Sequence, residues 1–298
     1  MALVTIFCVC AGPLAHAGNP KINVDDFQPS PHAGDILDTV TTRVGPHLGV
    51  SGGVWFTYRK DPLVAVGFEG EGEVALVGDQ LVGDLQVALP LFGLASVGID
   101  LPVLLHSAGG DPALVNPAWT QVAGAGLGDL RLSFKAKFWD NHNKGFGLGV
   151  AQDLTLPTSV GDKLFGADAP TSVTRLILDY QIKGFIVALN VGYLARKAAR
   201  EFTPPVSDEL LLGIGLRIPI LRDRLELLLS SQTRTLVDSA FTGERSLATA
   251  IRGGLQVRAG SDLMIGVAGG AGFGDLAGSA AWEAMLHVAW EPRQRVEN

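Results

Sequence analysis

Residues 128–157 read GDLRLSFKAKFWDNHNKGFGLGVAQDLTLP, and this stretch decides the fold. Leu130, Leu132, Phe134, Ala136 and Phe138 alternate with Arg131, Ser133, Lys135, Lys137 and Trp139. Side chains on a strand repeat every two residues, so the segment carries one apolar face and one basic face. The cluster Asp140, Asn141, His142, Asn143, Lys144 and Gly145 is turn chemistry. A second run returns with Phe146, Leu148, Val150, Leu154 and Leu156 facing one way and Gly147, Gly149, Ala151, Asp153 and Thr155 the other. Each arm matches the roughly 9–11 residues that a tilted strand needs to cross a bilayer. The pair reads as one hairpin of a membrane barrel, with Phe134, Phe138, Phe146 and Leu148 towards lipid.

Composition agrees. Apolar residues make up 47% of 298 and the mean hydropathy is +0.28, yet beyond the first residues no stretch of about 18 is free enough of charge for a membrane helix. The 38 glycines suit close-packed strands and tight turns better than helices. A net charge of −7 with a pI near 5.3 argues against nucleic acid as a partner.

Residues 1–17 have the form of a signal peptide: an apolar core over 3–14, then Ala15-His16-Ala17, although no Lys or Arg precedes the core. Cys8 and Cys10 both lie in it, so the processed chain would be free of cysteine, which fits passage through an oxidising periplasm. Residues 18–45 are polar and contain Pro, and are expected to be a periplasmic lead-in. The barrel is expected over 46–290, with a short tail at 291–298.

About twelve strands can be counted, the first over 47–58 and the last over 279–290. Their connections alternate between long and short, as in barrels with long extracellular loops and short periplasmic turns. Irregular backbone and open sheet edges are not tolerated in lipid, so the first and last strands must pair. The fold expected is therefore all-β, a closed antiparallel transmembrane barrel. The last strand presents Ala280, Trp282, Ala284, Leu286, Val288 and Trp290 on one face, which suits recognition by the barrel assembly machinery. A soluble sandwich is the rival, but its strands are usually about 5–6 residues long.

Five runs carry a family resemblance: DPLVA (61–65), LVGDLQVALPLF (81–92), VGIDLPVLL (97–105), GLGDLRLSFKAKF (126–138) and LTLPTSVGDKLFG (154–166). They resemble the amino-terminal barrel of long OmpA-family outer-membrane proteins. The resemblance implies a barrel in the cell outer membrane. Calcium-binding repeats and a peptidoglycan-binding domain commonly follow such barrels, and residues 291–298 carry neither motif.

The charges expected inside are Asp84, Asp100, Arg131, Lys135, Lys137, Asp153, Arg175, Asp179, Arg217, Glu226, Arg252, Arg258 and Glu283. They either line a wet path that selects ions or solutes, or pair across the lumen and close it. At about twelve strands size does not decide, since eight fill themselves and 16–18 stay open. The mixed signs favour a narrow or plugged lumen. His47 and His287 are expected to face inward on either side of the closing seam, as two wet histidines or, less simply, a metal pair. Glu69, Glu71, Glu73 and Asp79 fall in an expected acidic loop over 60–79, more simply a solvated loop than a divalent-cation site.

No catalytic set stands out. The G-x-S-x-G match at Gly49 to Gly53 lies in a Gly-rich strand with no helix after it, so the chain is not expected to be an enzyme. The several G-x-G triplets open no helix either, and no cofactor or metal is expected. The function expected is a passive narrow diffusion channel or a structural envelope barrel, with adhesion through the loops as the alternative. Expected partners are outer-membrane lipid and lipopolysaccharide around a monomer.

Overall fold

The computed structural model describes residue 23 and residues 27–292, apart from 33, 67–71, 117–118, 120–122, 141–144, 161–163, 200–205, 222–223, 241–246 and 275. The signal segment lies outside the described residues, as does most of the expected turn at 140–145. Among the described residues there is no α-helix.

The strands are β1 (Ser51–Val66), β2 (Glu73–Leu91), β3 (Ala95–Ala108), β4 (Gly126–Leu127), β5 (Leu130–Asp140), β6 (Gly145–Leu156) and β7 (Thr171–Ile182). They continue as β8 (Phe185–Ala195), β9 (Glu209–Leu221), β10 (Leu225–Leu236), β11 (Leu247–Ala259), β12 (Leu263–Gly274) and β13 (Trp282–Trp290). Twelve of them close into one antiparallel barrel. Consecutive strands are neighbours, β3 pairs with β5, and β1 meets β13 from Gly52↔Trp290 to Lys60↔Trp282. The short β4 is an extra strand that pairs only with Val103 and Leu104 of β3.

The period of two is written into the wall. On β7 Leu176, Leu178 and Tyr180 are exposed, while Arg175, Ile177 and Asp179 are buried. Exposed aromatic residues gather at both ends of the apolar band, with Phe92, Phe146 and Trp290 at the short-turn end and Tyr193, Phe273 and Trp282 at the long-loop end. Such girdles mark the two interfaces of a membrane barrel. The two-residue turn after β7 has positive φ at both Lys183 (50°) and Gly184 (86°), the mirror-type turn whose twist suits a hairpin.

Three expectations are corrected. The first strand does not begin at His47. Leu48 has a φ of 57° and Gly49 N–H donates to Pro46 O, so a turn precedes Ser51. At its other end β1 continues past Tyr58 to Val66 and pairs with β2, so much of the expected acidic loop is a hairpin. Its Leu63, Ala65, Leu76 and Val77 pack with Val115, Trp119, Leu164 and Val206 from other long loops, forming an apolar cap over that end. Trp139 faces outward, because the β5–β6 register shifts between Lys137 and Trp139.

Phe134 sits mid-strand on the exposed face. Phe134→Arg is expected to lower folding stability in lipid vesicles by about 2–4 kcal/mol, measured by denaturant titration, because a guanidinium near the bilayer midplane loses its water. An unchanged midpoint would contradict the membrane-spanning assignment of this face.

Candidate functional site

The lumen is not empty. Residues 27–45, expected as a periplasmic lead-in, run inside the barrel, and most of them are buried. This plug has no ladder of strand partners, yet buried backbone groups must find hydrogen bonds. Side chains of the wall supply them. Arg59 donates to Phe27 O (3.1 Å), and Gln86 and Arg131 donate to Pro29 O. Asn190 bonds both the N–H and the C=O of Val40 (2.8 Å each). Asp179 accepts from the Thr42 N–H (2.6 Å) and hydroxyl (2.9 Å). Between these anchors Ile36 and Thr39 bond each other's backbone in a tight turn. Phe27, Ile36 and Leu37 pack on Trp55, Ile186, Leu228 and Met285, and Val40 packs on Ala151 and Ile177, which gives the plug two small apolar footholds on the wall.

The wall makes room for the plug with missing side chains. A Cβ at Gly147 would collide with Thr42, and one at Gly215 would come within 2.9 Å of Thr39.

The structure places the expected interior charges as follows. Arg131 pairs with Asp100 (2.8 Å), Arg175 with Asp153, Arg252 with Glu283, and Arg217 with Glu226 (3.7 Å). Two others meet the plug: Lys135 reaches Asp35 (2.8 Å), and Asp179, which also accepts from Gln181 of the wall, holds Thr42. Arg252 also reaches Asp38 (2.6 Å). Asp84 is buried beside Trp55, its register partner, and lies in the field of Arg131. Lys137 and Arg258 are only half-buried, and Arg258 sits at the short-turn rim with Glu291 (3.7 Å). A buried charge is tolerable only with such partners, since breaking a pair strands the other charge away from water.

Sequence reasoning missed Arg59, which is fully buried and lies 4.0 Å from Glu283. Its parity with Trp55 and Thr57 was the available signal. It also missed Asp35 and Asp38 of the plug, and a second network in which Arg196 and Arg234 (3.3 Å) share Glu209. Beside that network the Tyr193 hydroxyl and the Arg196 N–H hold the Asp208 carboxyl below the usual range.

The histidine pair is corrected too. His47 stacks on Phe92 (4.7 Å) at the short-turn end, whereas His287 stacks on Trp55 (4.1 Å) inside the wall. Asp79 is in β2, paired with Tyr58 and Lys60. Glu73 opens the same strand, and Glu69 and Glu71 lie outside the described residues. No cluster of three potential metal ligands occurs among the described residues.

Between the plug and the long loops lies a chamber of about 140 Å³. Gln28 and Asp38 of the plug, Thr155, Thr171, Val173, Leu211 and Gln232 of the wall, and the loop residues Ala167 and Ala199 line it. Of the charged groups that also border it, Arg175, Arg196 and Arg234 are paired and almost buried, while the exposed loop residues Lys197 and Asp168 lie 4.0 Å apart.

A family model described as "Putative MetA-pathway of phenol degradation" matches residues 47–281. No curated protein matches the chain by sequence. Among solved structures, an outer membrane channel from Pseudomonas putida F1 is similar with a TM-score of 0.62 at 14% identity, over 84% of this chain and 97% of that one. The NanC porin is similar with a TM-score of 0.54 at 8% identity, over 82% of this chain and 100% of that one. These likenesses establish an outer-membrane type of barrel. The resemblance to OmpA-family proteins holds at that level only, because the family model that matches is a different one.

Gly215→Val is expected to expel the turn at Ile36 to Thr39 while leaving the wall intact. Hydrogen exchange of residues 36–42 should rise by an order of magnitude or more with unchanged heat-modifiable mobility. Full protection in the variant would show that the wall yields and the plug does not.

Proposed function

This chain belongs to the phenol-degradation MetA-pathway family, and from that premise and its filled lumen we propose that it is a passive outer-membrane channel for small solutes. In this reading the long loops face outward and the short turns face the periplasm, the protein works as a monomer among lipopolysaccharide, and it catalyses no reaction. The plug sets the bore.

One observation carries the proposal: the plug is held mainly by hydrogen bonds and ion pairs to wall side chains. Water that enters with a solute can take over such polar contacts, because a water-bridged hydrogen bond is nearly as favourable as a direct one. A plug bound to the wall by an apolar core would lack that freedom. Small shifts of residues 27–45 can therefore open a polar path without unfolding the wall. Two further points support the reading. The barrels of similar fold are named as a channel and a porin. The family description concerns the breakdown of a small aromatic compound, which a cell must first take up.

Planar-bilayer recording of the purified protein tests this. Small stepwise conductances are expected. Asp35→Asn with Asp38→Asn removes the charge pairs to Lys135 and Arg252 and should raise the unit conductance severalfold. Silence from both proteins, with normal heat-modifiable mobility, would instead make this a structural envelope barrel.

A further inference from the structure

We propose that the short-turn mouth of the lumen binds one small carboxylate anion on Arg43 of the plug, with Arg217 and Arg258 of the wall beside it. Arg43 is then the residue that makes the path prefer anions. That consequence rests on the channel reading, and the site itself does not.

Placement comes first. Arg43 is the last Lys, Arg, Asp or Glu of the plug before the turn at Pro46 to Gly49 leads into β1, so it sits just inside the short-turn end. Its stem lies on the backbone of Gly34, whose φ is 85°: a Cβ there would come within 3.2 Å of the Arg43 Cβ and 3.4 Å of its Cδ. Its backbone N–H donates to the Thr41 hydroxyl (3.3 Å). The side chain is thus fixed at its base, and its half-buried head stands in the field of Arg217, Glu226, Glu291 and Arg258.

Charge comes second. Among the described residues no carboxylate lies within ion-pair distance of Arg43, and its guanidinium makes no hydrogen bond. The neighbouring pairs are loose. Arg217–Glu226 and Arg258–Glu291 are both 3.7 Å apart, against 2.6 Å for Arg252–Asp38 and 2.8 Å for Arg131–Asp100. Arg217 is only 4% exposed, and although it donates to Asp35 O (2.7 Å), its buried Nε has no partner. Glu226 Oε2 is unpaired as well. Three guanidinium groups therefore face two carboxylates, and the surplus positive charge sits where water is scarce. Of the two acids that hold the plug nearby, Asp35 is bound to Lys135 (2.8 Å), and Asp179 accepts from Thr42 and Gln181. Neither reaches Arg43.

The chemistry of the donors selects the ligand. One surplus charge calls for a monoanion. A guanidinium presents its donors in a planar fork that matches the two oxygens of a carboxylate, and such bidentate pairs are among the strong ones. The idle Nε–H of Arg217 is a further donor for either oxygen. Sulfate or phosphate brings additional negative charge, which the site meets only by opening one of the two loose pairs. A cation is repelled by the surplus.

Fluorine NMR titration of the full chain in uncharged detergent tests the site, with trifluoroacetate as the anion and trifluoroethanol as its neutral counterpart. Saturable broadening of the trifluoroacetate signal is expected, reversed by acetate, with none for trifluoroethanol. Arg43→Gln should weaken binding about tenfold or more, while Arg43→Lys keeps the charge, loses the fork and should fall between. Heat-modifiable mobility shows that each variant has kept its wall. In bilayers under a potassium chloride gradient, wild type and Arg43→Lys should pass chloride in preference to potassium, and Arg43→Gln should lose that preference. Equal titrations by wild type and Arg43→Gln, or displacement by sulfate at lower concentrations than acetate, would overturn the site. A wild-type channel that prefers potassium would overturn the role of Arg43 in selectivity. Binding by a silent barrel upholds the site and defeats the channel, whereas a conducting barrel without saturable binding defeats the site and leaves the channel.

Discussion

Everything in this molecule depends on the pairing of β1 with β13. In hydrocarbon there is no water to bond a free N–H or C=O, so a twelve-stranded sheet is viable there only without edges. The seam from Gly52↔Trp290 to Lys60↔Trp282 removes the last two edges. Above Lys60 β13 has ended, and the backbone of the preceding loop takes over: Ala281 N–H donates to Lys60 O and Gly278 N–H to Pro62 O. Closure then dictates the rest. Once the sheet is a ring, half of all wall side chains must point into a confined interior, and the sequence has to fill it.

It does so with paired charges and a stretch of its own chain instead of an apolar core. A wall of small polar residues would have left a wide tube at this strand number. Here long side chains such as Arg59, Arg131, Arg252 and Lys135 reach inward, and each is fully or almost fully buried. Guanidinium groups suit this task, because their donors can serve a carboxylate and a backbone carbonyl together, as Arg131 does with Asp100 and Pro29 O. Apolar packing is broken into small clusters, around Trp55, Val40, Phe165 and Leu276, and into the cap of long loops.

The wall was legible in the sequence because a strand writes its environment locally, one residue in and one out. Most of the interior charges could be read from parity alone, and Arg59 obeys the same parity as Trp55 and Thr57. What could not be read has two physical causes. A register shift such as the one before Trp139 changes parity with no local sign. The plug has no period at all: its prolines and polar residues look solvated, and the groups that bury it lie far along the chain. Asp35 finds Lys135 across 100 residues, and Asp38 finds Arg252 across 214. The histidine pair failed for a related reason, since the turn at Pro46 to Gly49 withdraws His47 from the seam.

The placement of the plug before β1 has a consequence for how the protein is made. A ribosome emits residues 27–45 ahead of every strand that will hold them. Their anchors, Gln86, Arg131, Asn190 and Arg252, are spread round the ring and line one common space only when the last hairpins have docked. Until then the segment has nothing to fold against, and contacts of such separation form late. A segment synthesised before any strand of the wall is the last to reach its native partners, and the closing of the seam decides whether it is caught inside.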